Sequence, residues 1–188
     1  RLRANVALFY NDYKDLQTNA YDPALGVSLR TNVGQAHTYG VELETLTALS
    51  RDLQLTANLG YLQSQYDDFQ NASGAGVDAN GKQLVFSPRW NASVGLNYTI
   101  PAGLPGTWLA GTDAQFQTKS YANALNDDIQ EVPQQTFWNA NTRYISGDGH
   151  WTTTLAVKNL LDRAYPQSVG YVPSSGARYY SVNDPRTL

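Results

Sequence analysis

No cysteine occurs among the 188 residues, which excludes a disulfide framework and a thiolate metal site. Charge is scarce as well: Asp, Glu, Lys and Arg make up 15% of the chain, against roughly 25% in a typical soluble domain. No apolar run approaches the roughly 18 residues that a transmembrane helix needs. A helical membrane protein is therefore excluded, but a β-barrel is not, because its signal is weaker per segment. A sustained helical period is missing too. Nothing at the amino terminus resembles a signal peptide, since residue 1 already lies in a strand-like pattern. The formal net charge of -3 argues against a nucleic-acid partner.

What replaces the charge is Asn, Gln, Thr, Ser and Tyr, with 13 Tyr and 4 Trp. A surface against lipid excludes charge, whereas an aqueous lumen tolerates neutral polar groups. Alternation of period two runs along the chain. Leu2, Ala4, Val6, Leu8 and Tyr10 share one face of the first strand, with Phe9 out of pattern on the other. Tyr39, Val41, Leu43 and Thr45 alternate with Gly40, Glu42 and Glu44, and Leu53 to Tyr61 alternates in the same way. The fourth strand is the most regular: Trp90, Ala92, Val94, Leu96, Tyr98 and Ile100 against Arg89, Asn91, Ser93, Gly95, Asn97 and Thr99. Further strands are expected at Trp108–Lys119, Trp138–Tyr144 and Trp151–Lys158, and an eighth opens near Pro185.

The expected connections alternate in length. Short turns fall at Ser50–Asp52, Pro101–Thr107 and Gly147–Gly149; long polar stretches fall at Lys14–Val33, Ser64–Ser87, Ser120–Gln135 and Asp162–Asp184. Collecting the short turns at one end is the habit of bacterial outer-membrane barrels, with short periplasmic turns and long outer loops. Aromatic spacing supports it. Trp90 and Tyr98 lie eight residues apart on one face, about 26 Å along a strand. With a tilt near 40° this becomes roughly 20 Å along the membrane normal, close to the apolar band of such barrels. Trp108 and Phe116 repeat the spacing. The competing architecture is a soluble β-sandwich with large residues at its ends. It gives no reason for several consecutive strands to keep charge off the same face.

Short motifs then fall in a recognisable order. Asn32-Val33-Gly34 followed by Tyr39-Gly40-Val41-Glu42-Leu43-Glu44 resembles the N-x-G…G-V-E-x-E segment of TonB-dependent receptors. Ser87-Pro88-Arg89-Trp90 resembles their P-R-W strand opening, and Pro185-Arg186-Thr187 the P-R-T that opens their last strand. Lys158-Asn159-Leu160-Leu161-Asp162-Arg163-Ala164-Tyr165 resembles their V-x-N-L-F-D-x-x-Y segment, with Leu161 where Phe is commoner. The siderophore-receptor branch matches best. The resemblance implies an all-β, transmembrane antiparallel barrel of roughly 22 strands with an amino-terminal plug domain. Residues 1–188 would be about eight consecutive meander strands of its carboxy-terminal portion, with the plug and the end of the last strand absent. It further implies energy-coupled uptake of a ferric siderophore or similar metal chelate across the bacterial outer membrane. The partners would be the chelate, outer-membrane lipid, the plug, and the TonB energy-coupling complex reached through missing segments. A passive porin or small barrel, and a soluble sandwich binding module, are the alternatives.

Chemistry-bearing residues are few. By alternation Gly40, Gly60, Glu42, Glu44, Arg89 and Arg143 face inward, where water or a plug can satisfy the charges. The Asn159–Tyr165 segment reads as a structural strand end, rich in turn formers. His37 and His150 are the only histidines, and they belong to opposite ends. That offers little to a hydrolase, which needs Ser, His and an acid within reach. Asp78-Ala79-Asn80-Gly81 lacks most ligands of a calcium loop and reads as a turn. Asp127, Asp128 and Glu131 read as a solvated loop, and the Asn71-Ala72-Ser73 sequon means little in a bacterial barrel. No catalytic residue, cofactor or metal site is expected. Candidate ligand contacts are loop aromatics and Arg: Tyr21, Tyr66, Tyr121, Arg178, Tyr179 and Tyr180. Aromatics stack on a chelate and Arg pairs with its negative groups; packing the loops together is the competing role for each.

Overall fold

The computed structural model describes residues 1–22, 26–70, 72, 76–101, 103, 105–172 and 174–188, with backbone alone at 18–22, 28, 29, 31 and 33. In chain order its strands are β1 (Leu2–Asp22), β2 (Val27–Ala48), β3 (Leu53–Asp68), β4 (Trp90–Ile100), β5 (Thr107–Gln117), β6 (Ser120–Tyr121), β7 (Glu131–Val132), β8 (Gln135–Ile145), β9 (Thr152–Val157), β10 (Pro166–Val172) and β11 (Ala177–Val182). A single antiparallel sheet carries the order β1-β2-β3-β4-β5-β8-β9. Each strand pairs with its neighbour in sequence once the outer hairpins are set aside. The sheet is open, with β1 and β9 at its edges. The expected eighth strand begins where Pro185-Arg186-Thr187 returns: Lys158 and Thr187 form an antiparallel bridge that extends β9. Among the described residues no helix is long and apolar enough to cross a membrane, which says nothing of strands.

The register lines the alternating residues into rows. Leu8, Val41, Tyr61 and Trp90 are cross-strand neighbours, and so are Val6, Leu43, Leu59, Ala92 and Phe116. Thr47, Leu55, Leu96, Thr112, Ala140 and Val157 form another row on the same face. Between Tyr10, Tyr39, Tyr61, Trp90, Phe116 and Trp138 at one end and Tyr98, Trp108 and Tyr144 at the other, this face carries no charge on any of the seven strands. Its large side chains stand uncovered, Leu8 at 77% and Val94 at 47% exposure, as lipid-facing residues must. The aromatics touch along the two girdles: Tyr61 and Trp90 ring centres are 4.8 Å apart, and those of Trp108 and Tyr144 4.7 Å. Among the described residues no second sheet covers this face, so the sandwich alternative fails.

Threonines on the same face hide their hydroxyls. Thr45 donates to the Ala57 carbonyl at 2.8 Å, Thr112 to Asn139 at 2.9 Å and Thr142 to Leu109 at 3.1 Å. A hydroxyl left unpaired in hydrocarbon would cost several kcal/mol; turned back on a cross-strand carbonyl, it leaves its methyl outward.

Two expectations need correction. Lys14–Val33 is not a long loop: β1 and β2 stay paired from Leu2 opposite Thr47 out to Asp22 opposite Val27. Beyond the girdle both faces are wet, so apolar alternation stops while backbone pairing continues. The pairing kinks at Asp15, whose φ is +56°. Next, Asp162–Asp184 contains the β10–β11 hairpin, and Ser120–Gln135 contains the small β6–β7 pair and a 3-10 turn at Asp128–Gln130. The only large buried cluster among the described residues is at the outer end: Ala36 of β2 and Tyr66 of β3 with Phe69, Ala72, Ala79 and Ala124 of the loops. The wall has no core of its own, because one face would meet lipid and the other the lumen.

Candidate lumenal face and outer loop platform

The residues alternating with the apolar rows converge on the opposite face. Glu44, Asn58, Ser93, Gln115 and Phe137 are one cross-strand row, and Glu42, Gly60, Asn91, Gln117 and Gln135 the next. Together they line a hollow of about 550 Å³ that spans five strands. Gln167, at the start of β10, reaches down to its edge, where its amide donates to Gln135 Oε1 at 3.1 Å. The wall of the hollow is tied by side-chain bonds: Asn58 Nδ2 to Ser93 Oγ at 3.1 Å, and Asn139 Nδ2 to Asp113 Oδ2 at 2.8 Å. Gly60 leaves the hollow open, since a Cβ there would lie 3.9 Å from its nearest neighbour, the Asn91 carbonyl. Two carboxylates, Glu42 and Glu44, line the hollow itself among neutral amides, and it can hold water or a hydrogen-bonding, cation-bearing segment.

Gly40 plays a different part from the one expected. The Phe9 ring, out of pattern in sequence, lies across the strand pair over Gly40: a Cβ there would sit 2.6 Å from Phe9 Cζ and 2.1 Å from the Tyr61 carbonyl oxygen. An aromatic covering a glycine on the neighbouring strand pins register. The Asn159 segment is structural, as its residues suggested. Buried Asn159, at φ +50°, donates to the carbonyls of Arg163 (2.9 Å) and Asp184 (3.1 Å) and accepts from the Arg163 N–H (3.0 Å). Asp162 accepts from the Arg186 N–H at 2.8 Å. The segment thus fastens the end of β9 to the chain returning from β11.

At the outer end the loops are knitted together. The Asn126 side-chain amide forms a two-way bridge with the Gln83 backbone, accepting at 2.7 Å and donating at 2.9 Å. Phe86 N–H donates to the Tyr121 carbonyl at 2.9 Å, and Gln130 Nε2 donates to the Val169 carbonyl at 3.3 Å. Nothing in the sequence marked Asn126, because Asn is common in any polar loop; its positive φ becomes informative only with the fold.

The ligand candidates separate. Tyr66 is 1% exposed and packs edge-on against Phe69 at 5.2 Å, so it fills the loop core and presents no face to a ligand. Tyr121 lies under the Lys119 ammonium, 5.4 Å from its ring centre; a hydrogen bond to Glu131 at 2.7 Å holds Lys119 above its ordinary pKa range. Arg178, Tyr179 and Tyr180 are on β11, a strand rather than a loop, with Tyr179 65% exposed. Arg178 is paired with Tyr171 on β10. The backbone of Tyr21 pairs with Ser28 near the tip of the β1–β2 hairpin, and its side chain lies outside the described residues.

Other motifs resolve as architecture. His37 bonds Asp67 at 2.7 Å and stacks between Tyr10 and Tyr39. His150 pairs with Asp148 at 3.1 Å in the β8–β9 turn. There Ser146 donates to Asp148, and with the His150 N–H it holds the carboxyl below its ordinary pKa. Asn80 Oδ1 accepts from Phe69 N–H at 2.7 Å, and Gly81 has φ +78°, a turn as expected. Asn123 Nδ2 donates to Asp127 at 2.7 Å. In the sequon, residues 71 and 73 lie outside the described residues. Among the described residues no group of three or more His, Cys, Asp or Glu could hold a metal ion.

Comparison with known proteins adds to this geometry. The family described as TonB dependent receptor-like, beta-barrel, matches residues 1–160. The ferrioxamine B receptor of Salmonella typhimurium is 26% identical over 156 residues, covering 81% of this chain and 21% of that protein. The iron-regulated outer membrane virulence protein of Vibrio cholerae is 25% identical over 191 residues, covering 95% of this chain and 28% of that protein. The chain thus spans between a fifth and a third of the length of these relatives. Among solved structures, the ferric yersiniabactin uptake receptor FyuA of Yersinia pestis superposes with a TM-score of 0.77 at 20% identity, over 98% of this chain and 26% of that one. The ferric citrate transporter FecA does so at 0.71 and 19%, over 98% and 27%. At these identities the structures speak to fold alone.

Proposed function

Because the chain belongs to the TonB-dependent receptor-like β-barrel family, we propose that it forms part of the wall of a receptor for energy-coupled uptake of a ferric siderophore or similar metal chelate across the bacterial outer membrane. The single observation carrying this is the two-faced sheet. One face is charge-free between aromatic girdles, and the other holds Glu42, Glu44 and a surface of amides around an open hollow. Residues 1–188 are the carboxy-terminal portion of the barrel domain. The lumenal hollow receives a plug domain from elsewhere in the protein, and coupling to TonB runs through segments outside this chain. The wall moves cargo and makes or breaks no bond, so no catalytic residue is assigned.

Ligand capture belongs to the outer surface: Tyr121 on the clasped loops, Arg178, Tyr179 and Tyr180 on the β10–β11 hairpin, and Tyr21 near the tip of the β1–β2 hairpin. The clasped loops hold such groups in place before a ligand arrives, which lowers the ordering cost of binding.

The test is uptake of radiolabelled ferric chelates by an iron-starved strain whose only chelate receptor is the full-length protein. Uptake should vanish when TonB is deleted. Uptake that persists without TonB would favour the passive porin.

A further inference from the structure

The two edges of the outer hairpin β10–β11 differ. A two-stranded hairpin alone is marginal in water, and a third strand or other packing is needed to hold it. On the β10 side side-chain amides supply that support. Gln130 Nε2 donates to the Val169 carbonyl at 3.3 Å, Gln135 Nε2 donates to the Pro166 carbonyl at 2.8 Å, and the Val169 side chain is buried. On the β11 side all six residues of Ala177–Val182 are exposed. The direction of the backbone groups follows from the pairing. Opposite residues in an antiparallel pair alternate between pairs that exchange N–H···O bonds and pairs whose backbone groups point away from each other. Val169 aims its carbonyl outward at Gln130, so Val169 and its partner Tyr180 form a pair of the second kind. Tyr180 therefore turns its N–H and C=O to the open side, and by the period of two so do Arg178 and Val182. Among the described residues no backbone group pairs with them there.

A free edge is normally blunted by Lys, Pro, a bulge or brevity. β11 has neither Lys nor Pro, the register shift lies on β10 at Pro166/Ser168, and Tyr179, Tyr180 and Val182 are strand formers. The topology says what arrives at this edge. β10 rises from the end of β9 and is fastened toward β8, while β11 returns to the strand that Thr187 opens against Lys158. The open side of β11 thus stands over the place of the next wall strand. A closed barrel has such a strand, and this chain covers only 21% and 28% of two relatives in its β-barrel family. That strand runs antiparallel to the Thr187 strand, and therefore to β11. Wall strands here do continue as paired backbone beyond the girdle, as β1 and β2 do out to Asp22 opposite Val27. We propose that β11 is an acceptor edge for the outer extension of the next strand of the receptor's own wall, which pairs antiparallel with Ala177–Val182 and makes the hairpin part of a three-stranded outer sheet. Such pairing requires a closed barrel and no particular cargo.

The test is amide hydrogen exchange of the purified full-length receptor in lipid nanodiscs, read at single residues by electron-transfer fragmentation. Tyr179 and Ser181 turn their N–H groups to β10, whereas Arg178, Tyr180 and Val182 can bond only to an added strand. All five amides should exchange at comparable, slow rates. A fast–slow alternation, with Arg178, Tyr180 and Val182 near the rates of an unstructured peptide, would overturn the proposal, and so would fast exchange at all five. Replacing Tyr180 with the photo-cross-linker p-benzoylphenylalanine identifies the neighbour. Cross-links within one receptor chain, to an outer segment beyond residues 1–188, are expected. Cross-links confined to residues 1–188, or a cross-linked dimer in which a second copy holds the edge, would refute it.

Discussion

Replacing Val94 with arginine separates the two faces of the sheet most sharply. Val94 is on the apolar face of β4, four residues from Trp90 and four from Tyr98. At about 3.3 Å per residue each girdle is roughly 13 Å away along the strand, or about 10 Å along the membrane normal at a tilt near 40°. That puts Val94 close to the midplane, where an arginine facing lipid costs roughly 2–4 kcal/mol. Leu96, two residues nearer Tyr98, is about 5 Å from the girdle level, so Leu96→Arg should cost less, about 1–2 kcal/mol. Asn97 shares the inward row with Gln54 and Gly111, and Asn97→Arg, facing water, should cost under about 0.5 kcal/mol. The assay is reversible urea unfolding of the three full-length variants in lipid vesicles. The ordering Val94→Arg > Leu96→Arg > Asn97→Arg is expected. Equal losses at Val94 and Asn97, or a larger loss at Asn97, would refute the assignment of faces.

Gly40→Ala should destabilise by about 1–3 kcal/mol in the same assay, and Phe9→Ala in that background should not rescue it, because the closer clash is with the Tyr61 backbone oxygen. Asn159→Ala removes three hydrogen bonds, while the Arg163 and Asp184 carbonyls each keep one from Asn183 Nδ2. It should cost about 1–2 kcal/mol and open the chain beyond residue 160 to protease; an unchanged cleavage pattern would contradict the latch. Tyr66→Ala should leave the urea midpoint of the wall nearly unchanged while speeding amide exchange of the described residues between 69 and 87, since the cluster it fills joins the outer ends of β2 and β3 to the loops, beyond the girdle. In the β8–β9 turn, the Ser146 hydroxyl and the His150 N–H hold the Asp148 carboxyl below its ordinary pKa. That contribution is fully present above the unfolded value of about 3.9 and is lost as pH falls through the lowered native one. Exchange at the His150 amide, corrected for intrinsic rates, should therefore keep its protection down to about pH 4.5; loss already near pH 5.5 would contradict it.

The wall was legible because lipid and water impose opposite demands on adjacent residues. Trp90 to Ile100 alternates so strictly that strand, faces and girdle spacing follow from the sequence alone, and the register confirms each. Legibility stops at the girdle. Residues 14–22 and 27–33 pair as strands in water on both sides, so neither face needs to be apolar, and the polar run read as a loop. Phe9 looked like an error in the pattern until Gly40 was seen beneath its ring. The outer loops were the least readable part: Tyr66 and Tyr121 are the same residue type in similar polar runs, yet one is buried in a loop core and the other lines an open cleft. Only long-range contacts such as Asn126 with Gln83, 43 residues apart, decide between them, and no local pattern encodes those.

A membrane wall with lipid on one side and an aqueous lumen on the other must expose only one face of β4 to a water-soluble reagent. Residues 1–188 contain no cysteine; with any cysteine elsewhere in the full-length receptor replaced, single cysteines can be placed along β4 and challenged with a membrane-impermeant maleimide in vesicles. Cysteines at Asn91, Ser93, Gly95 and Asn97 should react, whereas those at Ala92, Val94 and Leu96 should be silent until detergent is added. Uniform reactivity along residues 91–97, or reaction confined to the even-numbered positions, would contradict the account.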